Sequence, residues 1–179
     1  MSARDAVDWP ADIHAALKSA EVRQVAYVPD AGHARLLALC AADPAMRMVP
    51  LTTEEEGIGL AAGAWLGGER AVLLMQSSGV GNCINTLGMI EACRFPFLTL
   101  VTMRGEFGEF NPWQVPMGQA TEAVLEAAKV VVHRAGAPSE VGAAVAGAAR
   151  LAFSGYQAVA VLLSQRLIGA KSFQDRAAP

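Results

Sequence analysis

Thr53-Glu54-Glu55-Glu56-Gly57-Ile58-Gly59-Leu60-Ala61-Ala62-Gly63-Ala64-Trp65-Leu66, closed by Gly67-Gly68 and followed by Ala71-Val72-Leu73-Leu74-Met75-Gln76, decides the fold class of this chain. Three carboxylates open a helix that turns small and apolar. The glycine pair ends it as a left-handed cap would, and the apolar run that follows suits a strand buried on both faces. A helix feeding a doubly buried strand is the repeating unit of α/β folds. The acids admit two readings. Thr53 and Glu56 have the spacing of a capping box, and acidic residues suit the positive end of a helix dipole. At about 100° per residue, however, the carboxylates point in different directions, and only Glu55 stands above Gly59, Ala62 and Gly63. A face of glycine and alanine lets another body approach closely.

Outward from this stretch the same unit recurs. Upstream, Asp8-Trp9-Pro10 opens a helix with the stripe Ile13, Ala16, Leu17, Ala20. Gln24 to Val28 reads as a strand ending at the turn Pro29-Asp30-Ala31-Gly32, Ala34 to Ala42 as a helix and Met46 to Pro50 as a short strand. Downstream, Ser77 to Asn82 reads as a turn and Cys83 to about Ala92 as a helix stopped by Phe95-Pro96. A buried strand, Phe97 to Met103, empties into an irregular stretch from Arg104 through Gly118. A helix over Ala120 to Ala128, the strand Val130 to Val132, a helix from Pro138 to Phe153 and the strand Ala158 to Leu163 complete the pattern, with a frayed tail from Ala170.

This alternation predicts a three-layer α/β/α architecture with a six-stranded parallel sheet, in one domain spanning residues 1–179 without internal repeat or linker. Ligands of such sheets sit at the carboxyl ends of the strands. Those ends are Pro29 to His33, Thr52 to Glu55, Ser77 to Asn82, Arg104 to Trp113, and Ser164-Gln165-Arg166, all expected on one edge. The stretch after Met103 is long for a compact domain, and Phe107, Phe110, Trp113 and Met117 within it argue for function rather than disorder.

A chain of 179 residues can bury a full core without staples. Cys40, Cys83 and Cys93 are an odd count with no C-x-x-C spacing, so neither a disulfide framework nor a zinc site is indicated, and they read as small buried hydrophobes in a reducing compartment. No apolar run approaches the ~20 residues of a membrane span, and Met1-Ser2-Ala3-Arg4-Asp5 lacks the apolar core of a signal peptide. A cytoplasmic protein is expected. A net charge of -3 with no Lys/Arg cluster argues against a nucleic-acid partner. A hydrophobic fraction of 53% beside only 17% charged residues points to surface hidden against another chain, or to an alanine-rich, densely packed monomer.

Ser77-Ser78-Gly79-Val80-Gly81-Asn82 lacks the third glycine of a dinucleotide loop, since Ile84 stands there, and no Walker A pattern occurs. Neither serine sits in a G-x-S-x-G elbow. The small residues serve either a tight strand-to-helix turn or the close approach of a ligand. His33 lies on the ligand edge, where it either touches a ligand or caps its helix; His14 and His133 lie elsewhere. Arg104 either clamps an anionic group through paired hydrogen bonds or bridges to Glu106 or Glu109.

Glu55-Glu56-Gly57-Ile58-Gly59-Leu60-Ala61-Ala62-Gly63-Ala64-Trp65-Leu66 resembles the segment of thiamin diphosphate enzymes in which a glutamate opens the helix of the pyrimidine-binding (PYR) domain. Ser78-Gly79-Val80-Gly81-Asn82 resembles their Ser-Gly-x-Gly turn. Arg104-Gly105-Glu106-Phe107-Gly108-Glu109-Phe110-Asn111-Pro112-Trp113-Gln114-Val115-Pro116-Met117-Gly118 looks like the sulfopyruvate and phosphonopyruvate decarboxylases, especially the alpha subunit of the two-chain sulfopyruvate enzyme. The resemblance runs from about Pro10 to Ile168.

By motif position the resemblance implies that Glu55 is the glutamate that hydrogen-bonds the aminopyrimidine ring nitrogen, and that Ser78, Gly79, Val80 and Asn82 contact the cofactor. A proton held near neutral pH demands a desolvated glutamate. The implied reaction is thiamin-dependent loss of carbon dioxide from a 2-oxo acid, 3-sulfopyruvate giving sulfoacetaldehyde, with phosphonopyruvate as the alternative substrate and a non-catalytic regulatory subunit as the alternative role. Arg104, Asn111, Gln114 and His33 are the expected substrate contacts. Two departures matter. The family's diphosphate half carries Gly-Asp-Gly, and no Gly-Asp-Gly occurs here. A beta subunit should therefore hold the diphosphate and Mg2+, with thiamin diphosphate shared in an alpha2beta2 or larger assembly. Ala31 stands where pyruvate decarboxylases carry a catalytic aspartate, which leaves His33 as the candidate for proton delivery.

Overall fold

Alternating side chains of one strand build both cores of the protein. In the computed structural model, which describes residues 7–169, strand β3 (Arg70–Gln76) turns Val72 and Leu74 to one face of the sheet and Leu73 and Met75 to the other. Helices α1 (Trp9–Ser19), α2 (Ala34–Ala42) and α7 (Pro138–Gly155) cover the first face through Ile13, Leu17, Leu36, Cys40, Val141 and Val145. Helices α3 (Glu55–Leu66), α4 (Ser77–Cys83), α5 (Gly88–Cys93) and α6 (Val115–Ala127) cover the second through Ile58, Ala61, Val80, Ile90 and Leu125.

Six strands, β1 (Val22–Tyr27), β2 (Arg47–Pro50), β3, β4 (Phe97–Thr102), β5 (Val131–Ala135) and β6 (Ala158–Leu163), pair in the order β2-β1-β3-β4-β6-β5, all parallel. The expected three-layer α/β/α architecture is thus the observed one. The chain builds outward from β1 to β2 and then returns to lay β3 on the opposite side of β1. Strand order reverses there, and a crevice opens where loops leave neighbouring strands in opposite directions.

Four local expectations need correction. Ser77 to Asn82 is not a turn: α4 starts directly after β3, and the expected Cys83–Ala92 helix is replaced by α4 and α5. Helix α6 starts at Val115 rather than Ala120, because Pro116 fits a first helical turn and the Asn111 side chain accepts from Trp113 N–H to cap the 3-10 turn Pro112–Gln114 before it. Thr53 and Glu56 form no capping box, since the Thr53 hydroxyl donates to Glu55 and Glu56 accepts from Thr52 N–H. Of the three cysteines expected to be buried, Cys40 and Cys83 are, and Cys93 at the end of α5 is exposed. The glycine pair after α3 does hold the expected left-handed residue, Gly68 at φ +80°. A short helix α8 (Gln165–Ile168) was not expected, and the tail from Ala170 lies outside the described residues.

Candidate active site

At the β1/β3 reversal a cleft of about 170 Å³ is lined by Val28, Pro29 and Asp30 after β1, Gln76 at the end of β3, Ser78 on α4, and Glu54 just before α3. Glu54 is only 8% exposed. Its carboxyl lies over Gly79, where a Cβ would stand 2.5 Å from its Cγ, Cδ and Oε1, so the glycine is required by the acid above it. One turn along α4, the Asn82 amide donates to Glu54 Oε2 at 2.7 Å. Cys83 follows; burial, and then the Glu54 and Glu55 charges, push its thiol up to about 12. Across the cleft the Asp30 carboxylate accepts from the Thr102 hydroxyl at 2.6 Å, Gly32 N–H at 3.1 Å and Gln76 Nε2 at 3.3 Å. The Ser78 hydroxyl donates to Gln76 Oε1 at 2.8 Å, which fixes the amide of Gln76 between Ser78 and Asp30.

The structure does not bring together all the residues expected from sequence. Glu55 is half-buried and accepts from the Thr53 hydroxyl at 2.5 Å. That hydrogen bond, with a backbone N–H, holds its carboxyl below the usual carboxylate range, the opposite of a desolvated acid. The glycines beneath it, Gly59 and Gly63, face open space. The buried stripe of α3 is Gly57, Ile58, Ala61 and Ala64, and Glu54 is the acid that continues it backward. Spacing from Ile58 and Ala61, rather than from the glycines, was the signal that would have singled out Glu54.

His33 is 1% exposed, and its Nε2–H donates into the sheet to the Leu100 carbonyl at 3.2 Å. Burial lowers its pKa and keeps the ring neutral. It does not line the cleft: the 3-10 turn Ala31–His33 directs it inward, with Nδ1 buried and unpartnered. Ser78 reaches the cleft, Gly79 and Asn82 shape it through Glu54, and Val80 belongs to the core.

Of the two readings of Arg104, the ion pair is the one formed, with Glu109 rather than Glu106. The bonds are Nε to Oε2 at 2.7 Å and Nη2 to Oε1 at 2.6 Å, and the guanidinium lies 5.9 Å from the Phe110 ring centroid. The Arg104 guanidinium holds the Glu109 carboxyl at about 2. Glu106 pairs with Arg134. Asn111 spends its side-chain oxygen on Trp113 N–H, and Gln114 Oε1 is buried without a partner. None of Arg104, Asn111 and Gln114 lines the cleft. Sequence reasoning missed Asp30, Gln76 and Thr102, and also Gln165, whose Oε1 accepts from Glu106 and Phe107 N–H and whose Nε2 donates to Glu109. The first three share one legible trait, their place at the carboxyl ends of β1, β3 and β4.

Over 158 residues, 88% of this chain and 96% of the relative, the sequence is 36% identical to the sulfopyruvate decarboxylase subunit alpha of Methanothermobacter thermautotrophicus. The chain belongs to the family of sulfopyruvate decarboxylase alpha subunits. Phosphonopyruvate decarboxylase of Streptomyces viridochromogenes is 37% identical over 118 residues, which are 65% of this chain and 30% of that one. A 2-oxoglutarate:ferredoxin oxidoreductase from Magnetococcus marinus shares the fold at TM-score 0.73 and 15% identity, over 89% of this chain and 29% of its own. No family model matches the chain.

The cleft has an informative size and charge. Small-molecule pockets run to about 300–1,000 Å³, so 170 Å³ admits part of a cofactor. Its lining carries two carboxylates, Asp30 and Glu54, and neither lysine nor arginine. A neutral or cationic heterocycle fits that donor and acceptor set, and a diphosphate does not. Among the described residues no cluster of three or more His, Cys, Asp or Glu side chains is arranged to hold a metal ion, and no helix is long and apolar enough to cross a membrane. Leu66, at the end of α3, is 88% exposed, and Trp113, in the 3-10 turn before α6, is 84% exposed.

Proposed function

We propose that this chain, as a single PYR-type domain, is the pyrimidine-holding alpha subunit of a two-chain thiamin diphosphate-dependent decarboxylase acting on 3-sulfopyruvate. The observation that carries the reading is Glu54, a buried carboxyl seated over Gly79 in the β1/β3 crevice. Glu54, rather than Glu55, takes the role of exchanging a proton with the aminopyrimidine ring nitrogen. Asp30, Gln76 and Ser78 line the same cleft and orient the ring beside it. When bound, thiamin diphosphate supplies the carbon nucleophile and electron sink that decarboxylation of a 2-oxo acid requires.

The diphosphate and Mg2+ belong, in this reading, to a beta subunit. Three features support that: the cleft lining has no lysine or arginine, the sequence has no Gly-Asp-Gly, and the Methanothermobacter relative is named a subunit. The exposed Leu66 and Trp113 and the open Gly59 and Gly63 supply surface for such a partner in an alpha2beta2 assembly. Because Glu109 occupies Arg104, the sulfonate is met by cations of the beta subunit. The three free cysteines suit a reducing cytoplasm. The similarity to a phosphonopyruvate decarboxylase supports phosphonopyruvate as the second candidate substrate.

The test is co-expression with a chain carrying Gly-Asp-Gly and comparison of Glu54→Gln with Glu55→Gln. Glu54→Gln should lower both C2 proton exchange of bound thiamin diphosphate and carbon dioxide release by roughly 10²–10⁴-fold. Glu55→Gln should stay near wild type. The reverse ranking restores Glu55 to the role, and activity on neither sulfopyruvate nor phosphonopyruvate removes the substrate assignment.

A further inference from the structure

A primary amide carries two N–H donors on one end and an oxygen with two lone pairs on the other, so its direction is set by the groups that hold it. Gln76, the last residue of β3, lines the cleft and is held at both ends. Its Nε2 donates to the Asp30 carboxylate at 3.3 Å, and its Oε1 accepts from the Ser78 hydroxyl at 2.8 Å. A carboxylate only accepts, so the nitrogen must be the end that faces Asp30. Asp30 is itself fixed from two further directions, by the Thr102 hydroxyl at the end of β4 and by Gly32 N–H after β1. A reversed amide would set its oxygen against that carboxylate. The ends of β1, β3 and β4, with α4, therefore hold one amide in one direction.

These bonds use one of the two N–H groups and one of the two lone pairs. What remains on Gln76 is a donor beside an acceptor. The complement of such an edge is a flat heterocycle that carries a ring nitrogen next to an amino group, and amide side chains read adenine in this way.

We propose that Gln76 reads the amino edge of the cofactor's pyrimidine: Nε2–H donates to the ring nitrogen beside the amino group, Oε1 accepts from the amino group, and Asp30 and Ser78 set the direction of reading. The inference rests on the thiamin diphosphate reading above and adds a specificity-determining residue to it. A pyrimidine with an oxo group in place of the amino group carries N–H and carbonyl at these two positions. Against it the held amide meets donor with donor and acceptor with acceptor, and it cannot turn round to relieve the mismatch. The ring nitrogen on the opposite side, toward Glu54, is common to both rings.

The experiment is calorimetric titration of the co-expressed alpha–beta complex, in Mg2+ at a single pH, with thiamin diphosphate and with its oxo analogue. Both ligands carry the same thiazolium and diphosphate, so the ratio of their Kd values isolates the pyrimidine edge. Wild type should favour the amino form. Gln76→Met, similar in size but with neither donor nor acceptor, should reduce that preference by roughly 10–100-fold, the span expected for loss of a bidentate pair. Ser78→Ala keeps the amide and frees one end of it, so the oxo analogue should bind more tightly and the preference should narrow by a smaller factor. Damaged packing alone would weaken both ligands alike and leave the ratio where it was. A ratio unchanged in both variants overturns the role of Gln76 and leaves the cofactor reading standing. A ratio moved by Gln76→Met but not by Ser78→Ala keeps the contact and rejects Ser78 as a determinant of its direction. An assembled wild-type complex that binds neither ligand overturns the cofactor reading, and the inference with it.

Discussion

Gly79 is a glycine because Glu54 occupies the place of its side chain. A Cβ there would stand 2.5 Å from three side-chain atoms of Glu54. Gly79→Ala should cost about 1–3 kcal/mol of stability, the usual penalty of overpacking, and should also swing Glu54 away from Asn82. Urea denaturation and a decarboxylation assay on the same preparation would check both, and full activity in Gly79→Ala would show that the carboxyl can sit elsewhere. His33 carries a different consequence. Its buried ring has a pKa below the ordinary value of 6.5, so the unfolded chain binds this proton more readily than the folded one. The stability it contributes is present above about pH 6.5 and is lost as pH falls below that, at up to about 1.4 kcal/mol per pH unit. His33→Gln, which keeps a donor for the Leu100 carbonyl, should flatten the pH dependence of the urea midpoint between pH 7 and 5. An unchanged slope would place the linkage at another group.

The segment from Arg104 to Gln114 behaves as an element although it is mostly irregular, because one carboxylate organises it. Glu109 accepts from the Arg104 guanidinium twice, from Gly105 and Asn111 N–H, and from Gln165 Nε2. Gly105, at φ +77°, and Gly118, where a Cβ would run into the Arg104 carbonyl, let this loop lie on the start of α6. Glu109 is held at about 2 against an ordinary 4.5, so its contribution is complete above about pH 4.5 and is lost as pH falls from there toward 2. Glu109→Ala leaves the guanidinium of Arg104 buried and unpaired, which should cost about 3–5 kcal/mol. Limited proteolysis should then cut within residues 105–114 while the strands stay protected. Resistance equal to wild type would mean that Gln165 and the aromatic contacts hold the loop without the ion pair.

At the scale of the whole molecule, α3 leaves part of its length uncovered by the chain's own packing. A Cβ added at Gly59 or Gly63 on α3 would meet nothing within 4 Å, and Leu66 on the same helix is almost fully exposed. Gly59→Ala should therefore stabilise the isolated chain by roughly 0.5–1 kcal/mol, the ordinary gain for glycine to alanine inside a helix. Gly63→Leu should leave the isolated chain folded but prevent co-purification with a beta subunit; undiminished assembly would place the interface on another face. The six strands to within a few residues and their parallel sheet were legible in the sequence. Those features rest on hydrophobic periodicity and on glycine and proline punctuation, which act between near neighbours. The same signals placed the acids at the start of α3 without deciding among them, and they read Ser77 to Asn82 as a turn. That Glu54 is the buried carboxyl, that His33 turns inward and that Arg104 is taken by Glu109 emerged only from the folded chain. Burial depends on what packs opposite: Asn82, 28 residues from Glu54, and Thr102, 72 residues from Asp30, meet their partners only after β1, β3 and β4 have been laid side by side.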